Sequence, residues 1–163
     1  MSKHCIYPGS FDPITMGHID IIQRLSAVFD QITVLVAQAP HKNYLFSSEE
    51  RQSLVVSCLQ GIKNVDVEIH QGLTIEYAQK VQARVIVRGL RAVSDFEYEL
   101  AMANVNSKLA PEIETLIVFT RPEYGHISSR MVKEVAEFGG ELKDLVPSHV
   151  AEALRMKIHH RSK

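Results

Sequence analysis

Cysteine is scarce: the 163 residues contain only Cys5 and Cys58, one in an expected strand and one in an expected helix. They read as buried reduced thiols, and no disulfide is expected. Long apolar runs are missing as well, since nothing approaches the roughly 18 residues that would cross a membrane. There is no surplus of charge: the net value is -1 and the pI is near 6.7, which argues against a long nucleic acid held by bulk electrostatics. Any anion site must then be a local cluster. Met1-Ser2-Lys3-His4 leads directly into an apolar strand without a signal-peptide pattern, so a cytoplasmic chain with neither nucleic-acid nor membrane partners is expected. His4, His41, His70, His149, His159 and His160 lack the mutual spacing of metal ligands, and no protein-held metal is expected. A convincing Ser/His/Asp or Cys/His arrangement is also lacking, which points away from a covalent nucleophile.

What remains is ordinary globular composition. An apolar fraction of 45% and a charged fraction of 23% suit one compact domain that needs no staples. Without repeats or linkers, residues 1–163 read as a single domain, with the basic segment 157–163 as a solvated tail.

Strands and helices alternate along the chain. After a first strand ending at Ile6-Tyr7, the β-branched run Gln31 to Ala37 reads as a buried strand. Ser47 and Glu50 have capping-box spacing for a helix to about Leu59. Val65 to Ile69 alternates apolar and acidic residues like a strand near a sheet edge, and Thr74 to about Gln82 reads as a short helix. Val85 to Val87 and Thr115 to Phe119 complete five strands, with helices expected over Asp95–Leu109, Ser128–Phe138 and from near Pro147 to Met156. Right-handed crossovers then give an α/β, doubly wound, Rossmann-like domain: a five-stranded parallel sheet with helices on both faces.

The chain is organised around Tyr7-Pro-Gly-Ser-Phe-Asp-Pro-Ile-Thr-Met-Gly-His18. Pro8, Gly9 and Pro13 hold a non-helical loop, and Gly17-His18 opens the periodic run Ile19, Ile21, Ile22, Leu25. At such a helix start, free N–H groups and the positive end of the dipole favour a phosphate. An imidazole there can donate Nε2–H to a phosphate oxygen, and Gly17 removes a side chain that would hold backbone and phosphate apart. Loops after strands one, two, four and five bring Ser10, His18, Lys42, Arg88, Arg91 and Tyr124 to Arg130 to one sheet edge. Arg88 and Arg91 beside one another call for an anion, either a ligand phosphate or the carboxylates Asp95, Glu97 and Glu99.

Thr15-x-Gly-His18 and Ile127-Ser-Ser129 resemble the paired motifs of the nucleotidyltransferases related to class I aminoacyl-tRNA synthetases. With Arg88-Gly-Leu-Arg91, the following Asp-Phe-Glu-Tyr-Glu99, and Val132-Lys-Glu-Val135, the whole chain is similar to the bacterial phosphopantetheine adenylyltransferase family. The resemblance implies adenylyl transfer from ATP to 4'-phosphopantetheine, giving dephospho-coenzyme A and pyrophosphate, with Mg2+ carried on the ATP phosphates. It also implies a homohexamer. By position it implies His18 as the catalytic residue that stabilises the transition state. ATP contacts are implied at Ser10, Phe11, His18, Gly89, Leu90, Arg91 and Glu99, and along Tyr124, Gly125, His126, Ile127, Ser128, Ser129 and Arg130. Acceptor contacts are implied at Ser10, Lys42, Thr74 and Arg88. Ser10 stands where Thr is common, Met16 where Asn is frequent and His126 where an aromatic residue is frequent. Transfer to another phosphate acceptor, such as nicotinate mononucleotide, and a silent nucleotide or coenzyme A sensor are the competing readings.

Overall fold

Apolar β-branched runs become strands here because a parallel sheet covered by helices buries both of their faces. The computed structural model describes residues 3–161. Its elements are β1 (His4–Gly9), α1 (Met16–Ser26), β2 (Gln31–Gln38), α2 (Ser48–Cys58), β3 (Val65–Gln71), α3 (Thr74–Lys80), β4 (Val85–Leu90), α4 (Val93–Leu109), β5 (Glu114–Phe119), α5 (Ser129–Glu137) and α6 (Ser148–Arg161). The sheet is parallel throughout, in the order β3-β2-β1-β4-β5. Strand order thus reverses at β1. Pairing of β1 with β2 runs from His4↔Gln31 to Gly9↔Val36, whereas β1 meets β4 only at Cys5↔Val85 and Ile6↔Ile86. The carboxyl halves of β1 and β4 part, and a crevice opens between them.

Successive strand residues feed two cores. Cys5, Tyr7, Val34, Val36 and Val87 pack with Ile22, Leu25, Val55, Val132 and Leu154 on one face, which carries α1, α2, α5 and α6. Ile6, Leu35 and Ile86 pack on the other with Ile75 and Ala78 of α3 and with Ala110 and Ile113. The expected capping box forms at α2: Ser47 N donates to Glu50 Oε2 at 2.7 Å, and Glu50 N to Ser47 Oγ at 3.1 Å.

Several boundaries depart from the sequence reading. β1 runs on through Pro8 and Gly9, read as loop, because they pair with Leu35 and Val36 of β2, and α4 starts at Val93 rather than Asp95. β4 continues past Val87 because its ladder with β5 runs on through Arg88↔Ile117, Gly89↔Val118 and Leu90↔Phe119. Arg88 is therefore a strand residue with fixed backbone, and only Arg91 lies in the loop. α6 continues past Met156 to Arg161, so residues 157–161 are helix rather than solvated tail. Lys157 Nζ sits 2.6 and 2.7 Å from the two Glu50 carboxylate oxygens, pinning this last stretch to α2. Ser162 and Lys163 of that segment lie outside the described residues.

The helix α4 and the edge strand β5 leave apolar side chains uncovered. Phe119 is 70% exposed and Tyr98 62%, with Phe96, Val105, Leu116 and Ile117 also exposed. Among the described residues no helix is long and apolar enough to cross a membrane.

Candidate active site

The crevice between β1 and β4 holds a cavity of about 450 Å³. Its floor is Tyr7 to Ser10 and Arg88-Gly89, one wall is Thr15, Gly17, His18 and Ile21 of the α1 start, and the opposite rim carries Lys42, Arg91, Asp95 and Ile127 to Arg130. Close packing shapes it. A Cβ at Gly89 would lie 2.7 Å from Ile21 Cδ1, so glycine lets α1 press on β4. A Cβ at Gly9 would lie 2.8 Å from Phe11 Cζ.

Thr15 caps α1 and at the same time sets the chemistry of His18. Its backbone N–H donates to His18 Nδ1 at 3.1 Å, and its Oγ1 lies 2.9 Å from the same nitrogen. An Nδ1 that accepts from a backbone N–H carries no proton, so the neutral ring bears its hydrogen on Nε2. Phe11 meets the ring edge-on, with centroids 5.1 Å apart, and fixes its plane from the core side. Burial first, then the positive charges of Arg91 and Arg88, push the imidazole pKa down from 6.5 to about 4. At neutral pH His18 is an uncharged donor. A titration of its ring resonances should give a midpoint near 4, and Arg91→Met should raise it, because one of the repelling cations is gone. The sign for stability follows: as pH falls from 6.5 through 4 the unfolded chain takes up this proton before the folded one, so the fold loses stability in that window.

Both arginines already have carboxylate partners. Glu99 accepts from Arg88 Nε at 2.7 Å and from Nη2 at 2.8 Å, a bidentate pair, while Arg88 Nη1 donates to Pro8 O at 2.9 Å across the open seam. Arg91 donates to both oxygens of Asp95 at 3.0 and 3.2 Å, and this hydrogen bond holds the Asp95 carboxyl below its usual range. The charged cluster left open by the sequence thus resolves into two pairs.

The cavity brings together Ser10, His18, Lys42, Arg88, Gly89, Arg91, Glu99, Ile127, Ser128, Ser129 and Arg130 of the expected site. Thr74 lines an adjoining cavity of about 70 Å³ that shares Pro8, Arg88 and Glu99 with the first. Phe11, Leu90, Tyr124, Gly125 and His126 are not on the cavity wall. The Phe11 and Leu90 side chains are buried, and Phe11 takes a positive φ of 48° to reach the core. Ser128 Oγ accepts from Met131 N at 3.1 Å as the α5 N-cap, and Ser129 Oγ donates to Pro13 O at 2.7 Å, tying α5 to the first loop.

Some residues that shape the site carry no sequence signal. Asp12 is buried and accepts from Leu45 N and Phe46 N, each at 2.9 Å, and from Lys133 Nζ at 2.8 Å. It ties the first loop to the segment after Lys42 and to α5. Asp-Pro in a loop reads as a turn, and only the fold reveals its partners.

Comparison with known proteins places the chain in a family. Residues 6–135 match the model of the cytidylyltransferase-like family. A phosphopantetheine adenylyltransferase from Bdellovibrio bacteriovorus is 61% identical over 97% of this chain and 99% of its own. Those of Desulforudis audaxviator and Alkaliphilus metalliredigens are 54% and 51% identical over 98% and 93% of this chain, and 98% and 97% of theirs. A solved structure from Vibrio parahaemolyticus, provisionally assigned as a nicotinate-nucleotide adenylyltransferase, superposes with a TM-score of 0.73 over 100% of this chain and 98% of that one. At 19% identity it bears on fold alone. Half or more of the sequence shared with relatives over nearly full length, on a fold that places His18 and the paired arginines around one crevice, shows that the chain belongs to the cytidylyltransferase-like family and, within it, to the phosphopantetheine adenylyltransferases.

Proposed function

We propose that this chain transfers the adenylyl group of ATP to 4'-phosphopantetheine, releasing pyrophosphate and dephospho-coenzyme A. The observation that carries the reading is a neutral His18 at a helix N-terminus in one cavity with Lys42, Arg88, Arg91 and Arg130. Two polyanions must meet in line, and four cations with free helix N–H groups offset their repulsion. An oxygen of the acceptor phosphate attacks the α-phosphorus as the bond to the β-phosphate oxygen breaks. The acceptor phosphate is itself the nucleophile, so no side chain has to become covalent. His18 Nε2–H donates to an α-phosphate oxygen as charge develops there.

Ser10, Lys42, Arg88 and Thr74 hold the acceptor in this reading. Ser10, His18, Gly89, Arg91 and Glu99 hold ATP from the cavity wall, Phe11 and Leu90 reach it through their backbone alone, and the segment Tyr124 to Arg130, of which Ile127 to Arg130 line the cavity, closes over it. Mg2+ carried on the triphosphate would supply charge neutralisation there. The cavity carboxylates Asp95 and Glu99 are each engaged by an arginine, which fits a metal that would be carried by the phosphates rather than held by the protein. The uncovered apolar face of α4 and β5 supports assembly into a homohexamer. The cytoplasm is the proposed compartment.

The test is pyrophosphate release from ATP and Mg2+ with 4'-phosphopantetheine, nicotinate mononucleotide or no acceptor. Release with 4'-phosphopantetheine only is the expected result; release with the other acceptor overturns the substrate. Lys42→Ala should raise KM for 4'-phosphopantetheine by about tenfold or more and KM for ATP by less than about threefold, because a lost phosphate contact acts on the substrate that bears it. Equal weakening of both would contradict the assignment.

A further inference from the structure

Arg51, on α2, is 1% exposed, and no ligand role above uses it. Its Nη1 donates to Ser10 O at 2.6 Å and to Ala37 O at 2.9 Å. The Tyr44 ring lies under the guanidinium, 4.1 Å from Cζ to centroid. Tyr44 in turn accepts from Ala39 N at 3.0 Å and reaches Ala37 O at 3.5 Å, and Ala39 O accepts from Lys42 N at 3.2 Å. Hydrogen bonds therefore link Ser10 O through Arg51 to Ala37 O, which Tyr44 also reaches, and Tyr44 through Ala39 to Lys42, with the cation–π stack joining Arg51 to Tyr44 directly.

The ends of this linkage are the two residues proposed to hold the acceptor from different loops. Ser10 follows β1 and Lys42 follows β2, and both line the same cavity. Lys42 itself is exposed, so the backbone of its loop decides where its ammonium is presented. A buried cation is costly to desolvate, and hydrophobic residues of like volume often pack as well. Here Arg51 leaves its Nε without a partner among the described residues and is nonetheless aimed at two loop carbonyls. Packing alone does not call for such a group.

We propose that Arg51, braced by Tyr44, is a positioning residue that sets the distance between Ser10 and Lys42 and so preorganises the acceptor-phosphate subsite. This deepens the adenylyltransferase reading and rests on it. Arg51 touches no substrate; it acts through the two loops.

Arg51→Met keeps an unbranched apolar stem and loses the guanidinium, whose Nη1 makes both hydrogen bonds. KM for 4'-phosphopantetheine should rise about tenfold to a hundredfold while KM for ATP moves less than about threefold, since a misplaced clamp acts on one substrate. Arg51→Lys, which retains one charged donor, should recover part of the loss. Amide exchange should accelerate at Ala39 and Lys42 in Arg51→Met and stay unchanged over the α1 start. Should Arg51→Met fail to fold, Tyr44→Leu removes the ring support with Arg51 in place and should give the same KM split and the same local exchange. Equal rises in both KM values, or unchanged exchange at Ala39 and Lys42, would overturn the clamp. If the unsubstituted protein gave no turnover with 4'-phosphopantetheine, the function would fall instead, and the exchange measurement would still decide whether Arg51 orders the Lys42 loop.

Discussion

Replacing His18 by alanine lowers kcat by about 10²- to 10³-fold and leaves KM for either substrate within about threefold, as measured by pyrophosphate release. The magnitude is that of removing one preorganised donor from a developing oxyanion, about 3 to 4 kcal/mol of transition-state stabilisation. The effect falls on kcat because the neutral Nε2–H gains most when charge accumulates on the α-phosphate, and a bound ground-state phosphate is already neutralised by the cavity's cations. His18→Gln, whose amide donates without titrating, should recover part of the rate and lose any acid limb caused by imidazole protonation near pH 4. An unchanged kcat in His18→Ala would remove the residue from the chemistry. A large rise in KM for both substrates with kcat intact would instead make it a binding group that treats ground and transition states alike.

The strand-loop-helix from β1 to α1 was legible in the sequence because its features are local. Pro13 breaks the chain into a loop and the Ile19 to Leu25 periodicity starts a helix at once, whereas Pro8 and Gly9, read as loop, extend β1 by pairing with Leu35 and Val36. The five-strand alternation gave the sheet by the same kind of local reasoning, and the order with its reversal at β1 follows the expected rule. Less legible were contacts between residues far apart in sequence. Glu99 is one of three carboxylates open as partners of Arg88 and Arg91 and only the fold assigns it to Arg88, while Asp12 and Lys133 are 121 positions apart and no periodicity connects them. Arg51 looks like any arginine on a helix until the fold puts it under two loops. Leu116 and Phe119 belong to a run read as an apolar strand of a covered sheet, yet they are exposed on the single chain. Hydropathy registers that a face wants cover and not whether the cover comes from the same chain.

Arg88→Met, the second large effect, should lower stability and acceptor affinity together, and the two losses can be separated. The Glu99 side chain is 9% exposed and that of Arg88 29%, so losing the guanidinium leaves a nearly buried carboxylate without its counterion. Breaking one side of a buried pair costs about 3 to 5 kcal/mol; the partial exposure of Arg88 reduces this to about 2 to 3 kcal/mol, or a fall in Tm of roughly 5 to 10 °C for a domain of this size. On the acceptor role proposed for Arg88, KM for 4'-phosphopantetheine should also rise about 10²-fold through loss of a charged phosphate contact. Adding Glu99→Gln to Arg88→Met removes the stranded charge and should restore most of the Tm while leaving the acceptor KM high. Glu99→Gln alone should move ATP and acceptor kinetics differently according to its role. If it acts by orienting Arg88, the acceptor suffers more; if it contacts the nucleotide, KM for ATP rises instead. A double substitution as unstable as Arg88→Met alone would mean that Arg88 stabilises the fold through Pro8 O across the seam of β1 and β4 rather than by neutralising Glu99.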